Sequence, residues 1–100
     1  MKEFKAEFKA GYYEWDLYIN GELFYTIGDI FTDEIYSNEF SHEKDLTEYE
    51  RCEIAVDNAI DYMIEELPTT FETKEAEIIR QSMIDTLCRH YGIEKGGEQV

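Results

Sequence analysis

Carboxylates are the chemically capable groups that this chain holds in excess. Between Asp29 and Leu67 stand thirteen acidic residues against two basic ones, Lys44 and Arg51, a local net charge of −11. Such a density suits hard-cation binding, acid–base chemistry or engagement of a basic partner. The spacing argues against the first two. Asp29 to Phe40 is acid-rich but lacks the alternating Asp/Asn ligands and central glycine of a calcium loop. The zinc-type atoms of His42, Cys52, Cys88 and His90 lack the paired spacing of a zinc site. With so many acids, a chance carboxylate pair at the ~5–9.5 Å separation of glycosidases carries no information. The chain has no phosphate-cradling glycine loop, nucleophile elbow or HExxH sequence. It is therefore read as non-catalytic, with no cofactor and no metal, and electrostatic binding is the chemistry left.

The flanks are close to balanced: residues 1–28 and 68–100 each carry a net charge of −2, which completes the total of −15. Phosphate contacts from Lys and Arg supply most of the affinity for DNA, RNA and anionic lipid, so direct nucleic-acid or membrane binding is disfavoured. A basic protein partner is favoured, and self-repulsion makes a monomer the expectation over a dimer. Apolar residues make up 43% of the chain and aromatic residues 15%, enough material for a folded core where an acidic disordered tail has none. Met1 leads into alternating charged and aromatic residues without an apolar signal region, and no run approaches the ~18 apolar residues of a membrane span. The expected compartment is the cytoplasm, where Cys52 and Cys88 stay reduced.

These groups must be positioned by one small α+β domain, residues 1–93, followed by a flexible tail, 94–100. From Glu3 to Ile27 the period is two, with turn signals at Ala10-Gly11 and Asn20-Gly21, the second of type I′ character. Two-residue turns would set Phe8 opposite Tyr13, Ala6 opposite Trp15 and Phe4 opposite Leu17. In the second hairpin they would set Leu17 opposite Phe24 and Ile19 opposite Glu22. One face then holds Phe4, Ala6, Phe8, Tyr13, Trp15, Leu17, Ile19 and Phe24. The other holds charged residues with Tyr12, Tyr18 and Tyr25. This predicts a three-stranded antiparallel meander. Ile30 to Ser41 has no clean period and reads either as a loop with a short helix or as a fourth short strand.

The period changes to 3.6 from about Leu46 to Leu67, where Leu46, Tyr49, Cys52, Val56, Ala59, Ile60, Met63 and Leu67 form an apolar stripe. Thr47 and Glu50 have capping-box spacing, Asp45 is an alternative cap, and Pro68 stops the helix. A second helix, Thr73 to Tyr91, buries Ala76, Ile79, Met83, Leu87 and Tyr91 and ends at a Schellman-type Gly92-Ile93. The short connection at Pro68 to Phe71 makes the helices an antiparallel pair covering one sheet face, in the order βββαα. In that pair Cys52 and Cys88 lie equally far from the turn and become neighbours.

Glu50, Glu53, Asp57, Asp61 and Glu65 recur at steps of three or four along the first helix. Like charges at i,i+4 cost a few tenths of a kcal/mol per pair, and Arg51 gives little relief. Such a stripe serves either as a solvated face or as a surface that meets a basic groove. Its ~6 Å step is sparser than the ~3.4 Å phosphate spacing of a DNA strand, so imitation of nucleic acid needs the preceding acids alongside. The candidate contact residues are therefore Asp29, Asp33, Glu34, Tyr36, Glu39, Phe40, Glu43 and Asp45, then Glu50, Glu53, Asp57, Asp61 and Glu65. The tyrosines of the outer sheet face form a second candidate surface.

In size, acidity and α+β make-up the chain resembles, as a class, the small inhibitors that bacteriophages direct at host nucleases, including anti-CRISPR and antirestriction proteins. The likeness carries no site residues. It implies a DNA-mimic-like inhibitor of a nucleic-acid-binding enzyme or nuclease complex, working in the host cytoplasm. The alternatives are an immunity or antitoxin protein held against a basic toxin, and a small adaptor that dimerises through its tyrosine face.

Overall fold

Alternation of apolar and charged residues over the first part of the chain produces three strands, β1 (Ala6–Ala10), β2 (Glu14–Ile19) and β3 (Glu22–Gly28). Three helices follow, α1 (Phe31–Tyr36), α2 (Glu48–Glu66) and α3 (Thr73–Tyr91). This computed structural model describes residues 3–36, 46–67 and 71–94. The strands form an antiparallel sheet in the order β1-β2-β3, with the two long helices packed on it, as the change of period predicts. The segment left open between loop and strand begins with the short helix α1, whose Phe31 and Ile35, four residues apart, are fully buried.

The second hairpin turns at Asn20-Gly21, where both residues have positive φ (53° and 85°), the geometry of a type I′ turn. The first hairpin differs from expectation. Phe8 pairs with Leu17 and Ala10 with Trp15, and the Gly11 N–H closes the loop on the Glu14 carbonyl. The tip is therefore Tyr12-Tyr13 and not Ala10-Gly11. Tyr13, expected on the core face, is 76% exposed. The slip is even, so Phe8, Trp15 and Leu17 keep their face and the core does not register the change.

A bulge supplies the second correction. Ile19 still opposes Glu22, but the register shifts between Leu17 and Tyr18, so Leu17 meets Tyr25 in place of Phe24, and Trp15 meets Ile27. Strict alternation would have turned Thr26 inward and Ile27 outward. One extra residue in β3 reverses that parity and buries Ile27. Tyr25 thereby leaves the outer face on which the sequence pattern set it, and its hydroxyl donates to the Glu66 carboxylate at the end of α2. That bond, more than burial, pushes the Tyr25 pKa up to about 12.

Helix boundaries follow their caps. Thr47 and Glu50 exchange both bonds of a capping box, which contributes about 1 kcal/mol. Gly92 adopts the left-handed conformation (φ 71°), and the Ile93 N–H reaches back to the Cys88 carbonyl, completing a Schellman motif that buries Ile93. Burial adds Ala55 to the expected stripe of α2 and Ile84 to that of α3. The core centres on Phe8, stacked on Trp15 at 5.1 Å, with Phe31 edge-on to both rings. Contacts between Cys52 and Cys88 and between Asp57 and Arg80 show that α2 and α3 run antiparallel. The alternative cap Asp45, Pro68 and tail residues 95–100 lie outside the described residues.

Candidate functional site

The acidic stripe lies on the side of α2 turned away from the core, and Glu50, Asp57, Asp61 and Glu65 are exposed. Its members have different occupations. Glu50 is the N3 residue of the capping box: its Oε1 accepts the Thr47 N–H at 2.9 Å, while Thr47 Oγ1 accepts the Glu50 N–H at 3.1 Å. A negative side chain in the first turn also suits the helix dipole. Glu53 and Asp57 face Arg80 of α3. Arg80 Nε donates to Asp57 Oδ1 at 2.7 Å, a second nitrogen reaches Oδ2 at 3.4 Å, and the guanidinium stands 3.6 Å from Glu53 Oε2. The hydrogen bond to Asp57 holds the Arg80 pKa above its ordinary value.

The expectation that this stripe accumulates uncompensated repulsion is thus overturned over its first half. Counter-charge arrives from the neighbouring helix, where a pattern read along one helix does not look. Each such partly exposed pair is worth only ~0–1 kcal/mol, but together they offset the repulsion between Glu53 and Asp57. Arg51 does turn elsewhere: its guanidinium donates to the Ile35 carbonyl at 3.4 Å and ties α1 to α2. Asp61 and Glu65 have no ion-pair or hydrogen-bond partner among the described residues.

The acids before α2 separate in the same way. Glu34 is half-buried against α2, and its carboxylate meets Asn58; burial raises its pKa, and the Asn58 hydrogen bond offsets part of that shift. Asn58 sits one turn from Ile54, Asp61 and Tyr62, so Glu34 joins the edge of the unpaired half of the stripe. Asp29 works at another place, accepting the Trp15 indole N–H at 3.2 Å. Tyr36 packs edge-on to Tyr91 at 5.6 Å, and the Tyr91 hydroxyl bonds Thr32 at 2.8 Å, so this tyrosine helps seat α1 on the end of α3. Asp33 is exposed. Glu39, Phe40, Glu43 and Asp45 lie outside the described residues.

What remains is a strip along α2 in which Asp61 and Glu65 alternate with exposed apolar side chains, Ile54 (47% exposed) and Tyr62 (60%). The sequence pattern pointed to neither of these. Their signal was apolar character on the polar side of the wheel, eight residues apart. Arg80 was also legible in principle, because the counting that brings Cys52 to Cys88 brings Arg80 within a turn of Asp57. On the outer sheet face Tyr18 is half-buried beneath the Lys9 ammonium, 5.0 Å from its ring centre, and Tyr12 stands at the hairpin tip.

Other chemistries find little support. Burial pushes the Cys52 thiol up to about 12 and also raises that of Cys88, with which it hydrogen-bonds, so neither has the depressed pKa of a reactive nucleophile. Among the described residues no three His, Cys, Asp or Glu side chains converge as metal ligands, and no helix is long and apolar enough to cross a membrane. No family model, curated protein or solved structure matches the chain.

Proposed function

We propose that the protein is a non-catalytic binding protein that inhibits a nucleic-acid-binding enzyme by occupying its basic groove, in the manner of phage anti-CRISPR and antirestriction proteins. The observation behind this reading is the unpaired half of the α2 stripe, where Asp61 and Glu65 are exposed beside Tyr62, with exposed Ile54 two turns before Asp61 and Glu34 at the margin. The two kinds of side chain do different work. Carboxylates raise the encounter rate with a groove lined by Lys and Arg and orient the approach. An exposed tyrosine and isoleucine supply the area that, once desolvated, slows dissociation. The partner is a basic nuclease or nuclease complex of the host cytoplasm, engaged directly and without nucleic acid between.

The test is cleavage of DNA by RNA-guided and restriction nucleases titrated with the protein, between ~50 and ~500 mM salt, where the Debye length falls from about 14 to about 4 Å. The expected result is inhibition of at least one basic nuclease that weakens steeply as salt rises. Inhibition independent of salt, or none across both nuclease classes, contradicts the proposal.

A further inference from the structure

We infer that β1 is the docking edge for a second copy of this chain, pairing antiparallel with its own counterpart about Phe8. The parity of the backbone supports this. The Gly11 N–H bonds the Glu14 carbonyl and the Asn20 N–H bonds the Lys5 carbonyl, so the odd residues of β1 direct their backbone groups toward β2. The even residues, Ala6, Phe8 and Ala10, therefore direct theirs to the free edge of the sheet. One of those groups is occupied, since Ser82 Oγ of α3 donates to the Ala6 carbonyl at 3.0 Å. Around that contact a groove of about 410 Å³ runs between Glu7, Phe8 and Lys9 on one side and Asp85, Thr86 and Arg89 of α3 on the other, so α3 meets the edge at Ala6 and stands off from it toward Lys9. Neither proline nor a bulge, two of the devices that blunt such an edge, interrupts β1.

Charge selects both the occupant and the register. The exposed charged residues of β1 are Glu7 and Lys9, 3.8 Å apart on the outer face. If Phe8 opposes its own counterpart, each Glu7 lies directly opposite a Lys9 of the other copy, twice over by symmetry. A slip of two residues one way sets Glu7 against Glu7, and the other way Lys9 against Lys9. Those charges exclude the neighbouring registers and permit one. A strand that fits must carry Glu and then Lys two residues on, and β1 carries that pattern itself. The pair of sheets becomes one six-stranded sheet through added main-chain hydrogen bonds. The net charge of −15 on each copy opposes the approach, so association tightens as salt screens it.

Sedimentation equilibrium of the full chain up to ~1 mM protein, the concentration matching a dissociation constant worth about 4 kcal/mol, tests this at ~50 and ~500 mM salt. Circular dichroism checks that each variant is folded. The expected result is a reversible dimer that strengthens with salt. Lys9→Glu and Glu7→Lys each weaken it about tenfold, and the double swap of both restores it, since opposite charges face each other again. Asp61→Lys leaves the edge pairing intact. A strict monomer at both salts overturns the inference. So does strengthening by Glu7→Lys, which reports net charge alone, or a double swap no better than the single variants.

Discussion

The two halves of the α2 stripe differ in everything except their residues. Glu50, Glu53 and Asp57 share a side and a spacing with Asp61 and Glu65. Yet the first three close a cap or hold Arg80, and the last two hold nothing among the described residues. The difference comes from outside the helix. Arg80 reaches α2 at Asp57, and beyond that point α3 presents no cation to the stripe among the described residues. Periodic carboxylates on a helix therefore do not have one meaning. A run of acids becomes evidence of a partner only where folding leaves it unused.

Removing the shared counter-charge should break that contrast most visibly. Arg80→Glu places three acids together at the α2–α3 join and is expected to destabilise the fold by about 2 kcal/mol, measured by urea unfolding, because two attractive pairs become repulsive ones. The affinity for a basic partner should stay within a few-fold, since the unpaired half is untouched. A variant of unchanged stability would show that the first half is as idle as the second.

A smaller effect concerns Glu34. Its folded pKa is raised, chiefly by burial, so the folded state holds a proton more tightly than the unfolded chain. That contribution to stability is complete below the ordinary glutamate range and is lost as pH rises through the folded value. Glu34→Gln should flatten this loss and leave the protein more heat-stable than the parent at neutral pH, with the two alike at low pH. Thermal unfolding followed across that range checks the sign. A variant that melts lower at neutral pH would mean the charged carboxylate is needed against Asn58.

Much of the architecture was legible in the chain because local chemistry and periodicity agree. Asn20-Gly21, the Thr47–Glu50 box and Gly92-Ile93 each dictate a backbone geometry by themselves, and all three appear in the fold. The first hairpin was misread because a slip by an even number preserves both faces, so hydrophobic pattern cannot choose between registers. The bulge was missed although it left a trace: Thr26 and Ile27 stand in the wrong order for strict alternation. The candidate surface was half legible. Charge marks the stripe, but which acids are satisfied depends on Arg80, some twenty residues away in the next helix, and on Asn58 facing Glu34.

The most direct measurement joins the two properties that the contrast separates. The double variant Asp61→Lys, Glu65→Lys should be as stable as the parent or more so by a few tenths of a kcal/mol: positions 61 and 65 stay like-charged, but the repulsion between Asp57 and position 61 becomes an attraction and the last turn of α2 gains positive charge that suits the helix dipole. Its nuclease inhibition should fall at least about tenfold, through slower association with a basic groove. A stable double variant that inhibits at full strength would contradict the account, showing that the unpaired acids face only water.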